Sequence, residues 1–287
     1  MGNHPLRSNR QINHFNLSMK NSLLWIITPE NGGPNSYLFG TMHVRDLRAF
    51  EWMDVADVCL QQCSVFATEF DFSDTDPGAI ASVLQLPQGG MLNQLLKPGV
   101  WKNLEFYCRK KIGIPVEVVR FMHPMTVTMA LTNAQLAEES ALSLDETLWE
   151  HARALGKRTT GVETFGEQLE TLKRISMDQH LKNLTWLLKN FTRQKRRLKK
   201  MLRWYQAGDI QQLYRAAKKD AKGMRKLLLY ERNSIMAERF AKIARHESLF
   251  CAVGAGHLSG KKGLLRLLKK EGFKVRPILP ADMPAPA

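Results

Sequence analysis

Apolar residues fall in short runs towards the two ends of the chain and at helical spacing through its middle. Residues 23–28 and 36–40 are strand-sized runs separated by Pro29-Glu30-Asn31-Gly32-Gly33-Pro34-Asn35, a dense turn signal, so this stretch predicts a β-hairpin. Residues 51–62 set Trp52, Val55, Val58 and Cys59 on one helical face. Residues 64–70 read as a third strand, reaching Glu69 at its end. From 76 to 122 the spacing is helical, with breaks at 87–90 and 113–115, and Pro124 opens a further helix. Residues 143–155 predict a helix with Asp145 and Glu146 in its first turn, where carboxylates suit the helix dipole, and Gly156 as its C-terminal cap. A short strand, 157–162, ends at Glu163. A long helical stretch follows over 165–246, broken near Gly208-Asp209. The chain closes with a strand (249–253), a helix (259–271) and a last strand (273–279), whose Pro277 marks it as an edge strand.

This pattern predicts an α/β fold: a central mixed β-sheet flanked by helices, with a long, basic, mainly helical insertion (about 76–142 and 165–246) between the N- and C-terminal sheet-forming parts. Residues 1–20 read as a flexible arm, 21–280 as one domain and 281–287 as a tail.

Composition narrows the class. Of 287 residues 44% are hydrophobic and 24% charged, an ordinary globular balance. No apolar run nears the roughly eighteen residues of a membrane span. The first twenty residues are polar, without a secretory leader's apolar core, so a cytoplasmic location is expected. Cys59, Cys63, Cys108 and Cys251 are too few and scattered for a disulfide framework. Cys59 and Cys63 have the spacing of half a zinc site, but no second half follows, so buried thiols are expected. The net charge of +15 is concentrated: residues 171–230 hold 17 Lys or Arg against 3 Asp. This segment contains the run Arg193-Gln194-Lys195-Arg196-Arg197-Leu198-Lys199-Lys200, a surface for an anionic partner or simply a solvated helix face.

The chemistry gathers at strand ends. The phrase Gly-x-x-His occurs twice after an apolar run, as Gly40-Thr41-Met42-His43 and as Gly254-Ala255-Gly256-His257. Glu69 and Glu163 also end strands. In a sheet whose strands run alike these four termini converge on one edge, where open α/β sheets bind ligands. Two imidazoles and one or two carboxylates form a standard divalent-metal set, and a spare carboxylate can act as base on a metal-bound water. A strand-end His taken alone is as readily a hydrogen-bonded structural residue. The apolar run Leu227-Leu228-Leu229-Tyr230 places Arg232 and Asn233 on a packed helix, beside such a site or on a solvated face. Arg232 there can clamp a carboxylate or phosphate. Asp145 reads either as a carboxylate supporting the site or as an ordinary first-turn helix residue, and His123-Pro124 as a loop-to-helix junction.

These phrases, taken in order, resemble the TraB/GumN family, which includes the Tiki metalloproteases. The matching stretches are Tyr37-Leu38-Phe39-Gly40-Thr41-Met42-His43, Thr68-Glu69, Leu144-Asp145, Gly161-Val162-Glu163-Thr164 with Gln168, Arg232-Asn233, and Val253-Gly254-Ala255-Gly256-His257. The resemblance implies a fold similar to the erythromycin-esterase-like and ChaN-like group, and a metal-dependent hydrolase. Carried over by position, it makes His43, Glu69 and His257 metal ligands. It makes Glu163, Arg232 and Asn233 further signature positions; in the hydrolase hypothesis Glu163 helps bind the metal or acts as base, and Arg232 and Asn233 orient substrate. Mn²⁺, Co²⁺ and Zn²⁺ all suit such donors. Three functions follow: a metallopeptidase, an esterase-type hydrolase using the same residues, or a non-catalytic protein that binds an anionic partner through its basic insertion.

Overall fold

The computed structural model describes residues 21–136 and 139–279. The expected arm (1–20) and tail (281–287) lie outside the described residues.

Leu24–Pro29 (β1) and Ser36–Thr41 (β2) form the predicted antiparallel hairpin, with Leu24 opposite Phe39. Gly32 and Gly33 take positive φ in its turn, a backbone region that glycine enters at little cost. Val65–Thr68 (β3), Arg158–Gly161 (β4), Leu249–Gly254 (β5) and Phe273–Ile278 (β6) complete one six-stranded sheet in the order β4-β3-β5-β2-β1-β6. The neighbouring pairs β4-β3, β3-β5 and β5-β2 are parallel, and β1 runs antiparallel to both β2 and β6. The sheet is therefore mixed. Every residue of β2 and β3 is buried, as expected of strands covered on both faces. β6 lies at an edge, which leaves room for Pro277. The parallel arrangement puts the C-terminal ends of β2, β3, β4 and β5 on one side of the sheet.

Two apolar clusters hold the chain. One is built on the sheet and includes Leu38, Phe39, Phe66, Leu148, Tyr205, Phe240, Phe250 and Leu264. The other joins helices Pro98–Tyr107, Pro124–Asn133 and Met177–Lys189 through Val100, Leu104, Val127, Leu131, Leu184 and Leu188. All four cysteines are buried free thiols, and burial pushes Cys59 up to about 11 and Cys63 to about 12.

The stretch expected as one long helix broken near Gly208 is divided further. It comprises Phe165–Lys173, Met177–Lys189, Phe191–Gln206, Ile210–Asp220, a π-helical turn Lys226–Glu231, and Arg232–Ala244. Ser176 caps the second helix by accepting from Gln179 N, and the chain bends again at Asn190. The last helix begins at Leu264, not near 259, because residues 258–263 form a fixed loop with Gly260 at φ +97°. In Phe191–Gln206 the face bearing Phe191, Leu198, Leu202 and Tyr205 is buried, and Lys195, Arg196, Lys199, Lys200 and Arg203 stand outside. Tyr205 Oη donates to the Gly40 carbonyl at 3.0 Å, which anchors the basic helix to β2. Among the described residues no helix is long and apolar enough to cross a membrane.

Candidate active and metal site

The two Gly-x-x-His phrases lie against each other. β2 and β5 are neighbours with Thr41 opposite Gly254. A Cβ on Gly40 would fall 2.6 Å from Leu258 Cδ1 and 3.1 Å from Ala255 Cα, so only glycine lets the turn carrying His257 pack on β2. At Gly254 the missing side chain serves a different purpose. Its N–H donates to Glu69 Oε1 at 2.9 Å, and a Cβ there would crowd that oxygen at 3.2 Å.

His43 follows β2 and is exposed. Its Nδ1 lies 3.3 Å from Asp145 Oδ2, and Thr41 Oγ1 donates to Asp145 Oδ1 at 2.5 Å. Asp145 is held at the start of helix Leu144–Ala154 by Ser143 and Glu146, which form a reciprocal capping box. The hydrogen bond to Asp145 raises the His43 pKa; burial opposes this, and Asp145, Glu146 and Glu69 add attraction. Asp145 is a first-turn helix residue and also bonds Thr41 and His43.

His257 is buried in the turn Ala255–His257. Its Nδ1 lies 2.5 Å from Asn233 Oδ1. Asn233 Nδ2 donates to the carbonyls of Lys262, at 2.7 Å, and His257, at 3.4 Å. With both amide hydrogens directed at carbonyls, the Asn233 oxygen must accept, so His257 carries its proton on Nδ1. Burial lowers the His257 pKa, keeping the ring neutral. Nε2 is then a lone-pair donor, 3.8 Å from Glu69 Oε1.

Glu69 and Glu163 lie side by side at the ends of β3 and β4, where Glu163 N donates to the Glu69 carbonyl at 2.6 Å. Arg232 joins them. Its Nε and Nη2 reach Glu163 at 2.6–3.1 Å, and Nη2 also reaches Glu69 Oε2 at 2.6 Å. Gln168 Nε2 donates to both carboxylates at 3.2 Å. Burial alone would raise the Glu69 pKa; His257, Arg232 and the Gly254 N–H outweigh it and hold the carboxyl at about 2. Arg232 follows the π-helical turn directly, a backbone irregularity common at functional sites.

A metal can be tested against these donors. Among the described residues no group of three or more His, Cys, Asp or Glu is gathered closely enough to hold an ion. The donor types are nevertheless those of a divalent-metal set, although His43 is not gathered with Glu69 and His257. His257 Nε2 and Glu69 Oε1 stand together, and His43 reaches the same sheet edge. Each imidazole has its Nδ1 fixed by an oxygen, the outer-sphere arrangement that orients metal-binding histidines. Two carboxylates facing one guanidinium leave negative charge to attract a cation. Beside His43 opens a cleft of about 660 Å³ between the sheet edge and the helical cluster, lined by Val44, Arg45, Lys111, Ile112 and Asn133 among others.

Sequence reasoning placed Glu163, Arg232 and Asn233 near the site, and the structure brings all three to it. Arg232 and Asn233 contact site residues and do not extend into the cleft. Thr41 and Gln168 stand in the matching phrases but had no role assigned to them from the sequence. Gln168 lies one helical turn beyond Thr164, the N-cap of helix Phe165–Lys173, and that spacing from Glu163 was the signal available.

The profile of the TraB/PrgY/gumN family matches residues 23–277. Metalloprotease TIKI2 of Danio rerio is 25% identical over 91% of this chain and 62% of its own length. Metalloprotease TIKI1 of Xenopus tropicalis is 25% identical over 94% and 65%, and the Homo sapiens TIKI1 25% over 89% and 61%. The chain thus spans somewhat less than two thirds of the length of these curated relatives. No solved structure matches it. A family match over nearly the whole described chain, covering both Gly-x-x-His phrases, establishes that this chain belongs to the TraB/PrgY/gumN family.

Proposed function

We propose that this chain is a divalent-metal-dependent hydrolase that cleaves peptide bonds. The observation that carries the reading is the pair of imidazoles at one sheet edge, each anchored through Nδ1 to Asp145 or Asn233, with the Glu69 carboxylate beside His257. His43, Glu69 and His257 are the proposed ligands. Mn²⁺, Co²⁺ or Zn²⁺ bound there would polarise the scissile carbonyl and acidify a water. Arg232 keeps Glu69 ionised and in place. Asn233 fixes the His257 tautomer, so it acts as a positioning residue. Both Glu163 oxygens are engaged by Arg232, so Glu163 serves first to hold that guanidinium; accepting a proton requires one oxygen to be released. The cleft beside His43 is the proposed substrate groove, and the cytoplasm the proposed location, tested by cell fractionation.

The experiment is turnover of a peptide library and a panel of esters by metal-loaded protein. Peptide cleavage lost in His257→Ala supports the reading. Ester cleavage alone would replace the peptidase assignment with the esterase one. No turnover of either, with metal bound, would remove the hydrolase reading in favour of a binding protein.

A further inference from the structure

Behind the turn that carries His257 lies a second cleft, of about 730 Å³, which the hydrolase reading does not use. Three elements meet there: Tyr214, Arg215 and Lys218 of helix Ile210–Asp220, Tyr230 of the π-helical turn, and Lys261 and Lys262 of the loop after His257. Four cationic side chains line one concavity, and no carboxylate does. Among the described residues none of the four is ion-paired. Other basic residues of the same region are: Arg197 pairs with Asp220, and Arg174 and Lys226 with Glu231.

The cleft is built. Gly260, at φ +97°, presses on the Tyr214 ring, where a Cβ would fall 2.4 Å from Cζ. The Lys262 carbonyl is held by Asn233 Nδ2 at 2.7 Å. The Arg225 Nε–H bonds the Lys218 carbonyl at 2.8 Å and adds a fifth guanidinium or ammonium group nearby. Helix and turn pack closely because Gly256 lacks the Cβ that would meet Ala217 Cβ at 2.8 Å. Lys262 Nζ lies 4.9 Å from the centre of the Tyr230 ring and Lys218 Nζ 6.0 Å from that of Tyr214, which keeps both ammonium groups beside the tyrosines of the cleft.

We infer that this cleft binds a small soluble anion carrying two or more phosphoryl groups. Four unpaired cations match a multiply charged anion far better than a single carboxylate, and Arg and Lys donors suit phosphoryl oxygens. The volume is that of a small-molecule site. Each tyrosine ring has a lysine ammonium over one face, so the cleft suits a compact polyphosphate better than a ligand that must stack on those rings. The inference does not depend on the hydrolase reading, although the two sites share Asn233.

The test is calorimetric titration of inorganic pyrophosphate into full-length protein and its variants. Saturable one-to-one binding is expected. It should weaken at least about tenfold in Arg215→Gln/Lys218→Gln and in Lys261→Gln/Lys262→Gln, a loss consistent with charge-assisted hydrogen bonds. It should change less than about twofold in Lys195→Gln/Lys199→Gln, on the outer face of the basic helix, the scale of nonspecific screening. It should also persist in His43→Ala, which removes a proposed metal ligand that does not touch Asn233 and so separates pyrophosphate binding from binding at the proposed metal site. Equal weakening by the cleft and helix variants, loss in His43→Ala, or binding to anionic vesicles without pyrophosphate binding would each overturn the inference.

Discussion

Removing Arg232 should damage the fold before it damages any chemistry. The guanidinium joins Glu163, whose side chain is 2% exposed, to Glu69, which is 24% exposed, and is itself only 16% exposed. Arg232→Ala leaves two adjacent carboxylates with Gln168 as their remaining shared side-chain donor. Deleting one partner of a buried ion pair costs about 3–5 kcal/mol, because the other charge stays desolvated. The lower part of that range suits a site in which Glu69 keeps some contact with water. For a chain of this length each kcal/mol moves Tm by about 2 °C, so a fall of roughly 6–8 °C is expected at pH 7. The pH dependence has a definite sign. Glu69 is depressed from 4.5 to about 2, so its contribution is complete above the ordinary carboxylate value and is lost as pH falls through about 2. The gap between wild type and variant is therefore widest at neutral pH and closes on acidification below 4.5. Urea unfolding at pH 7 and at pH 3.5 measures both points. Arg232→Lys keeps the charge but not the planar fork and should restore only part of the loss. A wild-type–variant gap under about 1 kcal/mol at pH 7, against the 3–5 expected, would refute the reasoning. So would a gap that widens in acid.

Asn233→Ala should lower metal affinity about 10–100-fold, the usual effect of losing an outer-sphere partner, as read by competition with a chromophoric chelator; unchanged affinity would remove its positioning role. A pH effect of opposite origin is expected far from the site. Burial and the neighbouring His180 lower the pKa of His123, whose Nδ1 accepts from Met125 N at 3.2 Å and caps helix Pro124–Asn133. The unfolded chain then takes up protons first, so stability should fall as pH drops through 6.5. His123→Asn, which can still cap, should flatten that slope, and thermal melts from pH 7.5 to 5 giving parallel slopes would contradict this.

β1, β2, β3 and β5 were legible because each is a short, mostly apolar run, whereas β4 (Arg158-Thr159-Thr160-Gly161) is polar; the alignment of the strand ends follows once β2, β3, β4 and β5 are parallel. The repeated phrase drew attention to His43 and His257 because small residues allow close packing at strand ends: a Cβ at Gly40 would meet Leu258 and Ala255, and one at Gly254 would crowd Glu69 Oε1. The divisions of the helical stretch were harder to read. Ser176 and Asn190 interrupt it without glycine or proline, and capping by a single side chain leaves a weak mark in sequence. Residues 258–263 look helical by composition, but their conformation is imposed from outside, by Asn233 on the Lys262 carbonyl and by Tyr214 against Gly260. Contacts between distant segments, such as Gln168 bridging Glu69 and Glu163, have no local pattern at all. The second apolar cluster was likewise hidden, because it draws on helices on both sides of β4.

The most direct test of the central claim is the metal content of native protein purified without chelators or a histidine tag, measured by mass spectrometry beside His43→Ala/His257→Ala. The account predicts close to one divalent ion per chain in the wild type and its loss in a variant that still folds. Wild-type protein that stays metal-free after reconstitution with Mn²⁺, Co²⁺ and Zn²⁺, or a double variant that keeps its metal, would contradict it.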